Sequence, residues 1–197
     1  MTGIGLFLDR DGTINEEVDF VTSAKQLHLI EGSAEAIREA NELGLKVIII
    51  TNQSGVARGL ITEEQLLEIH KEMLDQLDEL GAHIDAIYYC PHHPELGVGE
   101  YKTECECRKP KGGMLEMAAG EFSLDLKKSF VIGDRMIDVQ TGNNAGAYTI
   151  LVLTGYGKDE LGLCRQNGAR ITYVAGDLKD AMNHVRSALQ QQQPVAS

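Results

Sequence analysis

Short, almost unbroken apolar runs alternate along this chain with stretches whose apolar residues recur at helical spacing. Residues 4–9, 46–51, 84–90, 129–133, 148–154 and 171–174 are rich in aliphatic and β-branched side chains and are expected to be strands. Their near-continuous apolar character suits strands covered on both faces, as in a parallel sheet. Between them, 33–43 reads as a helix closed by Gly44. Residues 62–80 give the clearest helical stripe, Leu66, Ile69, Met73, Leu77 and Leu80, with Gly81 placed to end it. Thr62 and Gln65 stand at capping-box spacing before that stripe. A last helix is expected over 177–191, and the Gln-rich, Pro-containing end, 191–197, is expected to be disordered.

The alternation predicts one domain over 1–190, a doubly wound, Rossmann-like α/β fold with a parallel sheet. Two stretches interrupt it. Residues 12–31 lack a helical period and are expected to form a loop with a β-hairpin flap, and 90–111 is a long Gly-, Pro-, Cys- and His-rich loop. No second period or linker marks a large cap domain.

Composition narrows the possible partners. The 197 residues carry 30 acidic against 18 basic side chains, a formal charge of −12. Such a surface repels nucleic acid and anionic membranes, so neither is an expected partner, and an anionic ligand needs a local basic pocket. The longest aliphatic run, Val47 to Ile50, is far too short to span a bilayer, and no export signal precedes Asp9. The cytoplasm is the expected compartment. A monomer is the expected state, although the pattern itself does not fix one.

Three of the four cysteines fall in the 90–111 segment, in the arrangement Cys90-x-His92-x12-Cys105-x-Cys107. Three thiolates and an imidazole suit a closed, tetrahedral Zn²⁺ site of structural type, which would give order to a long loop that lacks secondary structure. His93 is an alternative to His92. Cys164 lies apart, in a helical stretch, and reads as a core thiol.

The first strand runs into Phe7-Leu8-Asp9-Arg10-Asp11-Gly12-Thr13. The second ends in Thr51-Asn52, Arg108-Lys109-Pro110 precedes the fourth, and Gly133-Asp134-Arg135-Met136-Ile137-Asp138 follows it. Ligands of open α/β sheets bind at the carboxyl ends of strands. The ordered set resembles the four motifs of the haloacid dehalogenase-like phosphohydrolases. That resemblance implies Asp9 as nucleophile and Asp11 as acid/base, with Thr51 and Lys109 on the transferring phosphoryl group. It also implies Mg²⁺ held by Asp9, Asp134 and the backbone carbonyl of Asp11. Asp138 is expected to orient ligands rather than bind the metal.

Within that superfamily, the zinc spacing and Thr51-Asn52-Gln53-Ser54-Gly55-Val56-Ala57-Arg58-Gly59 resemble the D-glycero-D-manno-heptose 1,7-bisphosphate 7-phosphatases, over roughly residues 4–157. The next nearest resemblance is to histidinol-phosphate phosphatases, whose corresponding loop usually has Asp where Ser54 stands. Lys111-Gly112-Gly113 departs from the usual Lys-Pro-x-Pro-Gly, a change confined to the local turn. The heptose resemblance implies a sugar bisphosphate as partner, dephosphorylated at C7 on a route to lipopolysaccharide core or other surface glycans. Asn52, Gln53, Ser54, Arg58 and Arg108 are the expected substrate contacts, with Lys111 behind them. The competing expectations are histidinol-phosphate hydrolysis and a catalytically idle, zinc-stapled binding module.

Overall fold

The computed structural model describes residues 2–192. Thirteen elements follow in order: β1 (Gly5–Leu8), α1 (Ser33–Glu42), β2 (Lys46–Asn52), α2 (Ser54–Ala57), α3 (Glu63–Glu79), β3 (Ala86–Cys90), α4 (Gly113–Phe122), β4 (Phe130–Gly133), α5 (Met136–Ala145), β5 (Tyr148–Val152), α6 (Gly157–Gln166), β6 (Tyr173–Ala175) and α7 (Leu178–Gln192). All six strands pair in parallel, in the order β3-β2-β1-β4-β5-β6. The doubly wound sheet expected from the apolar runs is therefore present. Of the end expected to be disordered, Gln191 and Gln192 belong to α7, and 193–197 lie outside the described residues.

Alternation along the strands sorts the core into two layers. Leu6, Leu8, Val47, Ile49 and Ile132 join the apolar faces of α1, α3 and α7. Phe7, Ile48, Ile50 and Val131 instead meet Met114, Leu115 and Ala118 of α4. Cys164 is buried beside Val139 and Leu151, as a core thiol should be.

The capping box at Thr62 forms: its hydroxyl accepts from Gln65 N–H at 3.2 Å, and the Gln65 side chain accepts from Thr62 N–H at 2.9 Å. Leu80 departs from the expected stripe. It caps the helix and is 52% exposed, because the chain turns away at Gly81 with a φ of 74°.

The expected hairpin in 12–31 is reduced to a single antiparallel bridge, Asn15 with Leu29. Two backbone bonds hold it, Glu16 N–H to His28 O and Ile30 N–H to Ile14 O, both 2.9 Å. Between its arms the chain loops out over the carboxyl ends of the strands, where Phe20, Val21 and Thr22 join the wall of a cleft.

Candidate active site

β1 has β2 on one side and β4 on the other, so the winding direction reverses between β1 and β4. In open α/β sheets this reversal leaves a crevice beyond the strand ends. Asp9 follows β1, Thr51 and Asn52 end β2, and Asp134 follows β4. The carboxylates of Asp9, Asp134 and Asp138 approach within 4.8 Å of one another. Asp134 fits because its neighbours lack side chains. A Cβ on either Gly12 or Gly155 would overlap its Oδ2, and both glycines also hold positive φ, 76° and 50°.

Lys109 is buried against these acids. Its Nζ lies 2.9 Å from Asp9 Oδ1 and 2.6 Å from Asp138 Oδ1, and donates to Ile50 O at 2.9 Å. Asn52 fixes the backbone behind it, accepting from Lys109 N–H at 3.0 Å and donating to Lys109 O at 3.2 Å. Asn52 lines the cleft, and its amide also works as a clamp on Lys109. Asp138 has both oxygens taken, one by Lys109 and one by Arg135 N–H at 3.0 Å.

Burial disfavours the Lys109 ammonium, but the Asp138 and Asp9 charges outweigh it and hold the amine protonated. Burial lifts Asp9 to about 6 although Lys109 opposes the shift. Burial, with the Asp9 charge behind it, pushes Asp134 up to about 8. Asp134 Oδ1 is buried with no hydrogen-bond partner. A hard divalent cation fits this place, since its charge and oxygen preference would satisfy the orphaned oxygen and the crowded carboxylates.

Asp11 turns toward a different set. Arg10 Nη2 donates to both of its oxygens at 2.8 Å, Arg10 Nε to Oδ1 at 3.1 Å, Asn15 to Oδ1 at 2.9 Å and Gln53 to Oδ2 at 2.9 Å. Burial alone would raise this carboxyl, but the Arg10 guanidinium and the amides of Asn15 and Gln53 outweigh it and hold it below the ordinary range. Gln53 also donates to Thr51 Oγ1 at 2.9 Å, linking Asp11 to the end of β2.

The cleft above these groups measures about 350 Å³. Ser54, Arg58 and Arg108 line it. The Arg58 guanidinium sits 5.3 Å from the Phe20 ring centre, and Arg108 donates to His92 O at 2.9 Å. Lys111 is not brought in; it pairs at 3.1 Å with Glu106 on the exposed side of the loop. Glu17, Asp19, Arg135 and Tyr156 are among the lining residues to which the sequence pattern assigns no role. Glu17 and Asp19 come from the flap, Tyr156 donates to Asp19 at 2.7 Å, and Arg135 stacks 4.8 Å from the Tyr156 ring. A short polar run such as 16–19 has no periodicity from which such placement could be read.

Beside the cleft, Cys90, His92, Cys105 and Cys107 converge. Cys105 Sγ lies 3.4 Å from Cys90 Sγ and 3.2 Å from Cys107 Sγ. His92 Nδ1 lies 3.9 Å from Cys90 Sγ and 3.6 Å from Cys107 Sγ. All four cysteines of the chain are unpaired thiols. Zn–S bonds of about 2.3 Å in a tetrahedron separate sulfurs by roughly 3.8 Å, so the cluster needs little adjustment to close around one ion. His93 does not belong to it: its Nδ1 accepts from the backbone N–H groups of Glu95 and Leu96.

The HAD-hydrolase-like family model matches residues 106–181. The chain is 43% identical over 151 residues to a D-glycero-beta-D-manno-heptose-1,7-bisphosphate 7-phosphatase from Yersinia pestis, covering 76% of this chain and 80% of that one. It is 40% identical over 183 residues to the D-glycero-D-manno-heptose-1,7-bisphosphate 7-phosphatase of Chlorobaculum tepidum, covering 90% and 91%. The solved D,D-heptose 1,7-bisphosphate phosphatase of B. bronchiseptica, complexed with magnesium and phosphate, superposes with a TM-score of 0.84 at 35% identity, covering 95% of this chain and 99% of that one. By fold, by the acids gathered at the strand ends and by sequence, the chain belongs to the heptose 1,7-bisphosphate 7-phosphatase family of haloacid dehalogenase-like hydrolases.

Proposed function

We propose that this chain is a Mg²⁺-dependent phosphatase acting on D-glycero-D-manno-heptose 1,7-bisphosphate. It removes the C7 phosphate and leaves heptose 1-phosphate for the synthesis of surface glycans in the cytoplasm. One observation carries the substrate reading. One cleft is lined both by Asp9 and Lys109 and by the guanidinium-bearing Arg58 and Arg108, so a molecule with two phosphates finds cationic partners beyond the nucleophile and its lysine. The name shared by the relatives supports the same substrate. A non-catalytic binding module would have no use for a lysine buried between two carboxylates at the strand ends.

Asp9 is the nucleophile. Its Oδ1 is held by Lys109 and by Arg10 N–H at 2.8 Å, which leaves Oδ2 to attack phosphorus. The bond from phosphorus to the C7 oxygen breaks in line and the phosphoryl group passes to Asp9. Lys109 and the Thr51 hydroxyl hold its equatorial oxygens. Asp11 protonates the departing C7 oxygen and, as the carboxylate, then deprotonates the water that releases phosphate from Asp9. The Arg10 grip favours the carboxylate form needed second, so the first step requires Asp11 to loosen from it. Asp9, Asp134 and the Asp11 carbonyl would hold Mg²⁺, which would supply the charge that lets two anions approach. Cys90, His92, Cys105 and Cys107 would hold a structural Zn²⁺, which would fix the loop that presents Arg108 and Lys109 without taking part in the chemistry. Asn52, Gln53 and Ser54 border the sugar, and Glu17 offers an acceptor for its hydroxyls.

The test compares phosphate release from heptose 1,7-bisphosphate and from histidinol phosphate. The bisphosphate is expected to have the higher kcat/KM, and Arg108→Ala is expected to weaken it by roughly 10–150-fold, the worth of a charge-assisted contact. Histidinol phosphate brings a cationic far end to the arginines. Faster hydrolysis of that compound by the wild-type chain would overturn the assignment.

A further inference from the structure

Two adjacent histidines on the loop after β3 point to different tasks. His92 turns its Nδ1 to the thiol cluster. His93 is half-buried and lines the cleft, among the same residues as Arg58 and Arg108. Its Nδ1 accepts two backbone hydrogen bonds, from Glu95 N–H at 3.2 Å and Leu96 N–H at 3.0 Å. An imidazole nitrogen that accepts two N–H groups carries its lone pair there, so the proton of the neutral ring is on Nε2. The tautomer is therefore set by the turn at 93–96, and Nε2–H is the polar atom left for the cleft. The ring cannot rotate freely, since its Nδ1 is held by the turn, and the backbone N–H of His93 is itself fixed to Tyr101 O at 3.0 Å. Arg108 is fixed from the same loop through His92 O.

From this geometry we infer that His93 is a specificity-determining residue, whose Nε2–H donates to the phosphate at the non-reacting end of the substrate, beside Arg108. The inference rests on the bisphosphate reading above and adds a neutral, pre-oriented donor to the arginines. A neutral donor suits an oxygen of a phosphate dianion already faced by two guanidinium groups. It adds direction without adding a third positive charge to a crowded corner.

Two substitutions separate this role from simple capping of the turn. His93→Asn keeps an acceptor near the Nδ1 place, so the turn can still close, but stops short of Nε2. His93→Gln carries an N–H toward the Nε2 place and lacks the turn acceptor. The readout is the ratio of kcat/KM for heptose 1,7-bisphosphate to that for heptose 7-phosphate, with zinc content and melting temperature followed in parallel. Wild type is expected to favour the bisphosphate. His93→Asn is expected to lower the ratio about tenfold, mainly through KM for the bisphosphate, with zinc retained. His93→Gln is expected to keep a ratio nearer to wild type. A wild-type ratio in His93→Asn, or a greater loss in His93→Gln than in His93→Asn, would show that the ring only closes the turn and overturns the inference while the bisphosphate reading stands. A wild type that does not favour the bisphosphate overturns both.

Discussion

Arg10 grips its own neighbour: its guanidinium, 1% exposed, binds both oxygens of Asp11, whose side chain is 21% exposed. Two adjacent residues in a strand would point to opposite faces. They meet here because the chain leaves β1 after Leu8 and turns, with Thr13, Ile14 and Asn15 N–H all bonding to Arg10 O. Truncating Arg10 would leave a buried carboxylate with only the two neutral amides. Arg10→Met is expected to destabilise the fold by about 3–5 kcal/mol, as for other broken buried pairs, and adding Asp11→Asn is expected to restore much of it. Because Asp11 is held below its ordinary 3.8, the pair's contribution is present above that pH and disappears as pH falls through the lower folded value. Urea denaturation of the two variants near neutral pH and in acid checks both statements. Equal stabilities of wild type and Arg10→Met at neutral pH would contradict them.

Replacing the nucleophile tests the covalent route. Asp9→Asn keeps the shape and the Arg10 N–H bond to Oδ1 but removes the anion. Turnover is expected to fall to background with the fold intact, while Asp11→Asn is expected to lose about 10²–10⁴-fold, the usual worth of general acid–base catalysis. Steady-state phosphate release with circular dichroism as a folding control checks this. Wild-type turnover in Asp9→Asn would exclude the aspartyl-phosphate.

The zinc cluster gives a third expectation. The purified chain should contain one tightly held Zn²⁺ resistant to conditions that strip Mg²⁺. Cys107→Ala should lose it, because a tetrahedral site loses a quarter of its ligands. Activity should then fall through the displacement of Arg108 and Lys109, which follow Cys107 directly. Elemental analysis paired with kinetics is the measurement. A zinc-free, fully active wild type would remove the structural role.

Much of this arrangement was legible in the chain itself, and the rest was hidden for identifiable reasons. The strands announce themselves as apolar runs, so the sequence alone puts Asp9, Thr51 and Asp134 at their carboxyl ends. The thiol cluster is legible because its ligands are close in sequence and chemically unambiguous. Asn52 reads as a substrate contact, yet its amide also clamps the backbone of Lys109, a partner 57 positions away that no local pattern reveals. Arg10 reads as the spacer in an Asp-x-Asp motif, since its burial arises only when the chain turns after β1. The hairpin in 12–31 shrinks to one bridge because the segment lacks strand alternation and is held through a few backbone bonds and side chains.

The crowding of acids predicts how metal, protons and stability are coupled. Burial and the Asp9 charge push Asp134 from its ordinary 3.8 up to about 8 when no cation is present. A group raised in this way favours the fold most below its ordinary value and loses that contribution as pH rises through the folded value. The metal-free protein is therefore expected to melt at progressively lower temperature between about pH 4 and pH 8, and Mg²⁺ should narrow the loss by replacing the proton. The same substitution of metal for proton means that Mg²⁺ binding near pH 7 should release roughly one proton and that affinity should weaken as pH falls. Calorimetric titration in two buffers of different ionisation enthalpy measures the release directly. Asp134→Asn, which cannot take up the proton, should abolish the buffer dependence together with tight Mg²⁺ binding. Buffer-independent heats in the wild type would mean that Asp134 is already ionised without the metal, and that some cationic group other than Lys109 shares the burden of the three carboxylates.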